Sequence, residues 1–299
     1  MSKKKRNLEI RHKRVQARTA TIVFTLFGAF IMPRGGNISV TGLIRLIKPL
    51  GLSENAIRLV LSRMSRRGWL QRRKMGRESY YSLSKQGNKE MLAGKHWALD
   101  KVRKQWDGKW RLLSYNVPEH VRHLRDRLRQ ELRCLGYGSL GGSLWISPYD
   151  HHRELMKFFN TIRAKEYVEA FEAHYAGPHA NQELAQKAWD IHGLEKRYQK
   201  FVEEYSKVLS ACKNAIRKRV KIDPKECFAL RFRVTAEFIN IALDEPMLPL
   251  ELLPDHWIGL RAKEIYLEVW KILTPEADRF VDSVFEEGKE HKQRGDEDE

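Results

Sequence analysis

The chain has 299 residues and a formal charge of +18, long enough for two or three domains that each bury a core. The charge is segregated: residues 1–97 carry 22 Lys and Arg against 4 Asp and Glu, and the remainder carries 34 of each. Even solvation would not require that asymmetry, whereas a module that displaces counterions from a polyanion would, so the N-terminal third is a candidate nucleic-acid binder.

Residues 1–18 read as a basic tail, and the apolar run Ala20 to Met32 follows them. This order imitates a signal peptide or a membrane anchor. The run is 13 residues long, too short to span a bilayer, has no small-x-small cleavage site and is interrupted by Thr21, Thr25 and Gly28. It reads instead as the first buried helix of a DNA-binding domain, with a share in a dimer contact, ended by Pro33, Gly35 and Gly36.

From Val40 to Leu83 the spacing predicts a winged helix-turn-helix. Thr41 caps a first helix with Leu43, Ile44, Leu46 and Ile47, and Pro49 and Gly51 turn the chain. Ser53 caps a second helix, with Glu54 in its first turn and Gly68 as its stop. Ile57, Val60, Leu61 and Met64 recur at i, i+3, i+4 and i+7 and face inward. Asn55, Ser62, Arg63 and Arg66 point away, with Arg58 on the flank, and suit base edges and phosphates. Trp69 to Arg73 and Ser79 to Leu83 read as strands joined by a tip of Lys74, Met75, Gly76, Arg77 and Glu78. Arg72, Arg73, Lys74 and Arg77 make this hairpin a cationic wing for the DNA backbone. A connecting helix from Ser84 towards Trp106 completes a domain over residues 19–106, and Asp107 and Gly108 mark its boundary.

Residues 107–177 show the order strand, helix, strand, strand, helix, strand. The segments are Trp110 to Val117, Val121 to Leu135, Tyr137 to Leu140, Leu144 to Ser147, His152 to Arg163 and Tyr167 to Ala173. That is the order of a ferredoxin-like α/β sandwich, a fold with many unrelated functions. Residues 178–287 read as a helical C-terminal effector and dimerisation domain, with helices from Gln182 to Lys221, Phe228 to Phe238 and Arg261 to Leu273, and another after Pro275. A Pro-rich ordered loop lies between Asp244 and Gly259, and residues 288–299 read as a mobile polar tail. The fold class is therefore α+β and multidomain. Cys134, Cys212 and Cys227 form no zinc or redox pair and read as reduced core thiols of a cytoplasmic protein.

Three stretches together resemble the PaaX-type family, the phenylacetic-acid-degradation repressors: Ser53 to Leu70; Trp110 to Pro118 with Gly136 to Pro148; and Asp244 to Gly259. The resemblance implies a homodimeric repressor that binds double-stranded operator DNA. It also implies release by an aryl acyl-coenzyme A effector, phenylacetyl-coenzyme A in the namesake branch. No membrane partner and no enzymatic cofactor are expected.

The middle segment also resembles the small ferredoxin-like nucleases associated with CRISPR systems, which place an Asp after the first strand to hold a metal. Here that position is Asn116, a poor ligand for a hard cation. Asp126, Asp150 and Glu154 read as scattered surface acids, and His120, His123, His151 and His152 as surface histidines rather than metal ligands. No Gly-rich phosphate loop, nucleophile elbow or CxxC pair appears, so no catalytic residue is assigned. Arg111, Arg231, Arg233 and Trp257 are the cations and the aromatic ring that an acyl-coenzyme A would need, without a spacing that unites them.

Overall fold

The computed structural model describes residues 21–76, 78–100 and 102–297. The basic tail 1–18 and Arg77 lie outside the described residues. Residues 21–26 are helical and continue through a π turn, Phe27–Ile31, into a 3-10 turn, Met32–Arg34. Val23, Leu26, Phe27, Phe30 and Ile31 are buried, so the apolar run is an interior helix. No helix of the described residues is long and apolar enough to cross a membrane.

A short strand that the sequence reading missed, β1 (Asn37–Ser39), comes next, and α1 (Val40–Ile47) follows. The cap is Ser39, not Thr41: its extended backbone lets the hydroxyl accept from the Gly42 N–H at 3.0 Å, while Thr41 already sits inside the helix. The Thr41 N–H donates to the Glu78 carboxylate at 3.2 Å. α2 (Glu54–Arg66) begins as predicted, with the Ser53 hydroxyl accepting from the Ala56 N–H at 3.2 Å. Gly68, at φ +72°, ends it in the left-handed region.

β2 (Leu70–Met75) and β3 (Glu78–Leu83) pair antiparallel from Leu70↔Leu83 to Met75↔Glu78, and β1 joins the far edge of β3. The ladder therefore includes Lys74, Met75 and Glu78, which the sequence assigned to the tip. α3 (Lys85–Lys95), capped by Ser84, packs close against the hairpin base: a Cβ on Gly87 would lie 2.0 Å from the Trp69 carbonyl oxygen. A π turn, His96–Asp100, follows, and residues 102–107 are not helical, short of the predicted Trp106 end. There the Trp106 indole donates to the Lys109 carbonyl and the Lys109 N–H to Asp107, bonds that replace a helical turn.

The next sheet contains β4 (Trp110–Tyr115), β5 (Gly138–Gly141), β6 (Leu144–Ser147) and β7 (Val168–Ala173), all antiparallel in the order β5-β6-β4-β7. α4 (His123–Cys134) and α5 (His152–Ile162) pack on it through Leu124, Leu128, Leu132, Leu155 and Phe159, against Leu113, Tyr115 and Trp145. These elements lie within a few residues of the predicted ones, because each carries a complete period-2 or period-3.6 pattern.

The remaining helices differ more. The predicted helix over 182–221 is two, α6 (Asn181–Ala188) and α7 (Ile191–Arg217). The Trp189 indole donates to the Gly136 carbonyl at 3.2 Å, and Asp190 restarts the helix by accepting from the Gly193 N–H at 2.9 Å. α8 (Pro224–Ala242) is longer than predicted, capped by Asp223. α9 (Ile258–Glu297) runs through Pro275, and residues 288–297, expected as a tail, have helical backbone. Proline in a helix interior costs about 3 kcal/mol. Here Leu273, Ala277, Phe280, Val281 and Val284 are all buried on the two sides of it, and their burial outweighs that penalty.

Two compact units result: residues 1–101 with 200–243 and 261–299, and residues 102–199 with 244–260. In the first, Phe30 meets Phe228 edge-on at 4.8 Å, Phe228 meets Phe280 at 5.2 Å, and Arg34 bridges Asp278 and Asp282. The apolar face of the opening helix is thus covered by the chain's own α8 and α9. In the second, the Pro-rich loop is fixed by Glu245 and by the Tyr149 hydroxyl, which donates to the Met247 carbonyl at 2.8 Å. All three cysteines are free, and Cys134 is exposed, so only Cys212 and Cys227 are the core thiols expected. Burial pushes the Cys227 thiol up to about 11.

Candidate nucleic-acid interface

α2 has two sharply different faces. Ile57, Leu61 and Met64 are buried to within a few per cent, while Asn55, Arg58, Ser62, Arg63 and Arg66 are exposed. The exposed positions follow the spacing i, i+3, i+7, i+8, i+11, so the helix brings all five onto one face. Leu59 belongs to that face as well and is 49% exposed. The sequence analysis assigned Leu59 to neither face, although its position four after Asn55 and four before Arg63 places it at the centre. An apolar side chain in such a setting suits a thymine methyl group.

Among these residues, Arg58 lies 4.0 Å from Glu54, one turn back, an exposed pair that holds little energy. Arg67, beyond the helix, stacks over the Trp69 ring at 5.1 Å and links the helix end to the hairpin.

The hairpin does not present its cations together. Successive strand residues face opposite ways, so Arg72 and Lys74 share one face, and Arg73 takes the other. All three are exposed. The Arg72 guanidinium donates to the Ser79 hydroxyl at 2.8 and 3.0 Å, which holds the arginine along the hairpin. Glu78, at the base of the turn, is drawn to the α1 backbone through Thr41, which removes one anion from the tip.

The middle unit offers a different inventory. Asn116 directly follows β4, and its N–H donates to the Tyr167 carbonyl at 2.8 Å. Asp126, Asp150 and Glu154 are exposed, and Asp150 accepts from the His152 N–H at 2.8 Å. His120, His123 and His152 are exposed, whereas His151, expected at the surface, is half-buried, tilted against Tyr137 and edge-on to Tyr149. Among the described residues no group of three His, Cys, Asp or Glu could hold a metal ion.

The four suggested effector contacts are divided between the two compact units. Arg111 and Trp257 belong to one unit, Arg231 and Arg233 to the other. Arg111 is bidentate to Asp107 at 2.5 and 2.7 Å, and those hydrogen bonds hold the Asp107 carboxyl down at about 2. The Trp257 indole donates to buried Glu245 at 2.9 Å. Arg231 is 3% exposed, paired with Asp278 at 2.9 Å and flanked by the Phe30 and Trp270 rings at 4.8 and 4.7 Å. Arg233 is exposed and lines a cavity.

Comparison with known proteins gives three successive matches. The model of the PaaX-like protein family matches residues 18–87, that of the PaaX protein central Cas2-like domain residues 103–185, and that of the PaaX-like protein C-terminal domain residues 189–283. The chain is 28% identical over 267 residues to the transcriptional repressor PaaX of Escherichia coli (strain K12), covering 87% of this chain and 82% of that protein. Among solved structures it is similar to the uncharacterized protein Rv0674 from Mycobacterium tuberculosis, at 21% identity and a TM-score of 0.52, covering 80% of this chain and 89% of that one, a likeness of fold alone. With all three parts matched in order from residue 18 to residue 283, the chain belongs to the PaaX family.

Proposed function

We propose that this protein is a cytoplasmic, homodimeric transcriptional repressor of a phenylacetate catabolic operon, without enzymatic activity, which binds operator DNA and is released by an aryl acyl-coenzyme A such as phenylacetyl-coenzyme A. The observation that carries the DNA reading is the single exposed face of α2, Asn55, Arg58, Leu59, Ser62, Arg63 and Arg66, on a helix whose opposite face is buried. In this reading β1 to β3 with α1 and α2 form a winged helix-turn-helix within residues 19–106, and Arg72, Arg73, Lys74 and Arg77 contact phosphates. The strand order β5-β6-β4-β7 suits a ferredoxin-like domain over residues 107–177, and residues 178–287 supply the effector and dimerisation functions. Two recognition helices related by a dimer axis require an inverted repeat with half-sites a whole number of helical turns apart. The repressor named among its relatives supports this reading; a nuclease reading of the Cas2-like segment has only Asn116 where a metal ligand is needed.

The test is fluorescence anisotropy on the protein's own upstream DNA against a scrambled duplex at one salt concentration, repeated with phenylacetyl-coenzyme A and with free phenylacetate. Preference for the upstream DNA, lost only with the thioester, is the expected result. Equal binding to both duplexes would sink the specific-repressor reading for that site.

Within the same assay, Arg63→Ala is expected to weaken operator binding by about 1–3 kcal/mol and to relax the preference at one base position. Lys74→Ala is expected to weaken all sequences alike and to reduce the slope of log affinity against log salt by about 1. An unchanged operator affinity and site preference in Arg63→Ala would remove α2 as the reading element.

A further inference from the structure

The overall charge balance of residues 98–299 conceals a local excess. Residues 213–221 carry Lys213, Arg217, Lys218, Arg219 and Lys221 and no carboxylate. They form the corner between α7 and α8, inside the first compact unit. Lys213 pairs with Glu268 at 2.5 Å. Arg217, Lys218, Arg219 and Lys221 are exposed, and none of them is ion-paired with a carboxylate among the described residues. Asp223, the nearest acid along the chain, is engaged as the α8 cap, accepting from the Lys225 N–H at 2.6 Å. Because the four cations fall within five successive residues, their Cα atoms lie within about 14 Å of one another.

The backbone at this corner favours a residue other than the one present. α7 ends with the Val220 N–H donating to the Ala215 carbonyl at 2.9 Å and the Arg219 N–H to the Ile216 carbonyl at 3.0 Å. Such a stop places one residue in the left-handed region, where glycine alone escapes the steric penalty. Here that residue is Arg219, at φ +55°. The helix dipole favours the cations of the last turn, Arg217 and Lys218. It accounts neither for an arginine in the left-handed position nor for Lys221 beyond it.

The start of α8 lies beside the 3-10 turn Lys48–Leu50 that leads from α1 to α2: Lys48, Pro49, Asp223 and Lys225 line one cavity. That turn leads into the N-terminal end of α2, the end by which a recognition helix meets base edges in the major groove. Arg219 is four residues from Asp223, so the corner is at most about 14 Å along the chain from that cavity. Exposed cations without protein partners, placed there, are complementary to the phosphate rows that flank a major groove. We infer that the α7–α8 corner is a second, sequence-independent DNA contact, outside the winged helix, in which Arg217, Arg219 and Lys221 hold phosphates beside the half-site. This contact rests on the repressor reading for the identity of the duplex.

The test is fluorescence anisotropy of the full chain on the upstream and the scrambled duplex across a salt series, with thermal melting of each variant. Arg219→Gly relaxes the left-handed position and is expected to melt no lower than wild type. It is also expected to weaken both duplexes about fivefold at about 0.1 M salt and to reduce the slope of log affinity against log salt by about 1. Arg217→Gln combined with Lys221→Gln is expected to weaken both at least tenfold and to reduce the slope by about 2. A control pair, Lys157→Gln with Lys165→Gln, removes two exposed charges from the other unit and leaves the affinity unchanged. Wild-type affinity and slope in both corner variants, as a corner that serves an acidic protein would give, overturns the contact; so does an equal loss in the control pair. Equal binding of wild type to the two duplexes would remove the specific-repressor reading, while the corner variants still decide the contact on either duplex. A preference for upstream DNA that the corner variants leave untouched removes the contact alone.

Discussion

Glu245→Ala is expected to lower the stability of the protein by about 3–5 kcal/mol, read as a shift of the urea unfolding midpoint. Glu245 is 7% exposed and accepts from three donors: the Arg103 guanidinium, the Tyr198 hydroxyl at 2.6 Å and the Trp257 indole at 2.9 Å. Alanine leaves a largely buried guanidinium without its counter-charge and takes the carboxylate acceptor from the Tyr198 hydroxyl and the Trp257 indole, and a buried group that loses its partner bears its desolvation cost. Burial and the neighbouring carboxylate push the Tyr198 hydroxyl far above its ordinary range, so it remains a donor throughout the accessible pH range. Glu245→Gln keeps the shape and one acceptor oxygen but faces donors with an amide, and is expected to fall between wild type and alanine. A loss below about 1 kcal/mol in Glu245→Ala would show that water or a local shift replaces the carboxylate.

Arg231→Ala is expected to cost about 3 kcal/mol, and to lower the melting temperature by about 6–12 °C if the affected unit melts as a domain of ordinary size. The loss combines the stacking on Phe30 and Trp270 with the void left between those rings. Desolvation lowers the Arg231 pKa, and the Asp278 charge opposes that shift. Asp278 keeps Arg34 at 3.3 Å and is partly exposed, so its own penalty is small. Arg231→Met therefore separates the contributions: it refills the space without the charge, and is expected to recover more than half of the loss. Equal losses in the two variants would place the energy in the ion pair instead of the packing.

The parts of this protein legible in the sequence were those encoded over a single turn or a single strand. Ser53, Gly68 and the buried stripe of α2 are local patterns, and the structure shows the cap, the stop and, except for half-buried Val60, the stripe where they were predicted. Local rules also erred where two residues competed: Ser39 and Thr41 are both good caps, and only the backbone conformation separates them. The break at Trp189 depends on an acceptor 53 positions earlier, Gly136, and the continuation through Pro275 depends on apolar partners elsewhere in the chain. The opposed directions of Arg72 and Arg73 were available from strand periodicity. The Arg231 and Glu245 clusters were not, because their partners lie from 12 to 201 positions away.

The discontinuous composition of the first unit has a consequence for synthesis. The opening helix leaves the ribosome early, yet Phe228, Asp278, Phe280 and Asp282, which cover Phe30 and hold Arg34, are made far later. At about 5–20 residues per second, the interval between residue 101 and residue 287 is on the order of 10–40 s. Phe30 lacks its Phe228 partner until α8 is made, and Arg34 lacks Asp278 and Asp282 until α9 is made, so the nascent chain carries a long-lived apolar segment beside its most basic region. A chaperone that shields such segments would have its longest opportunity there, and the first unit would complete its core only as the last helix emerges.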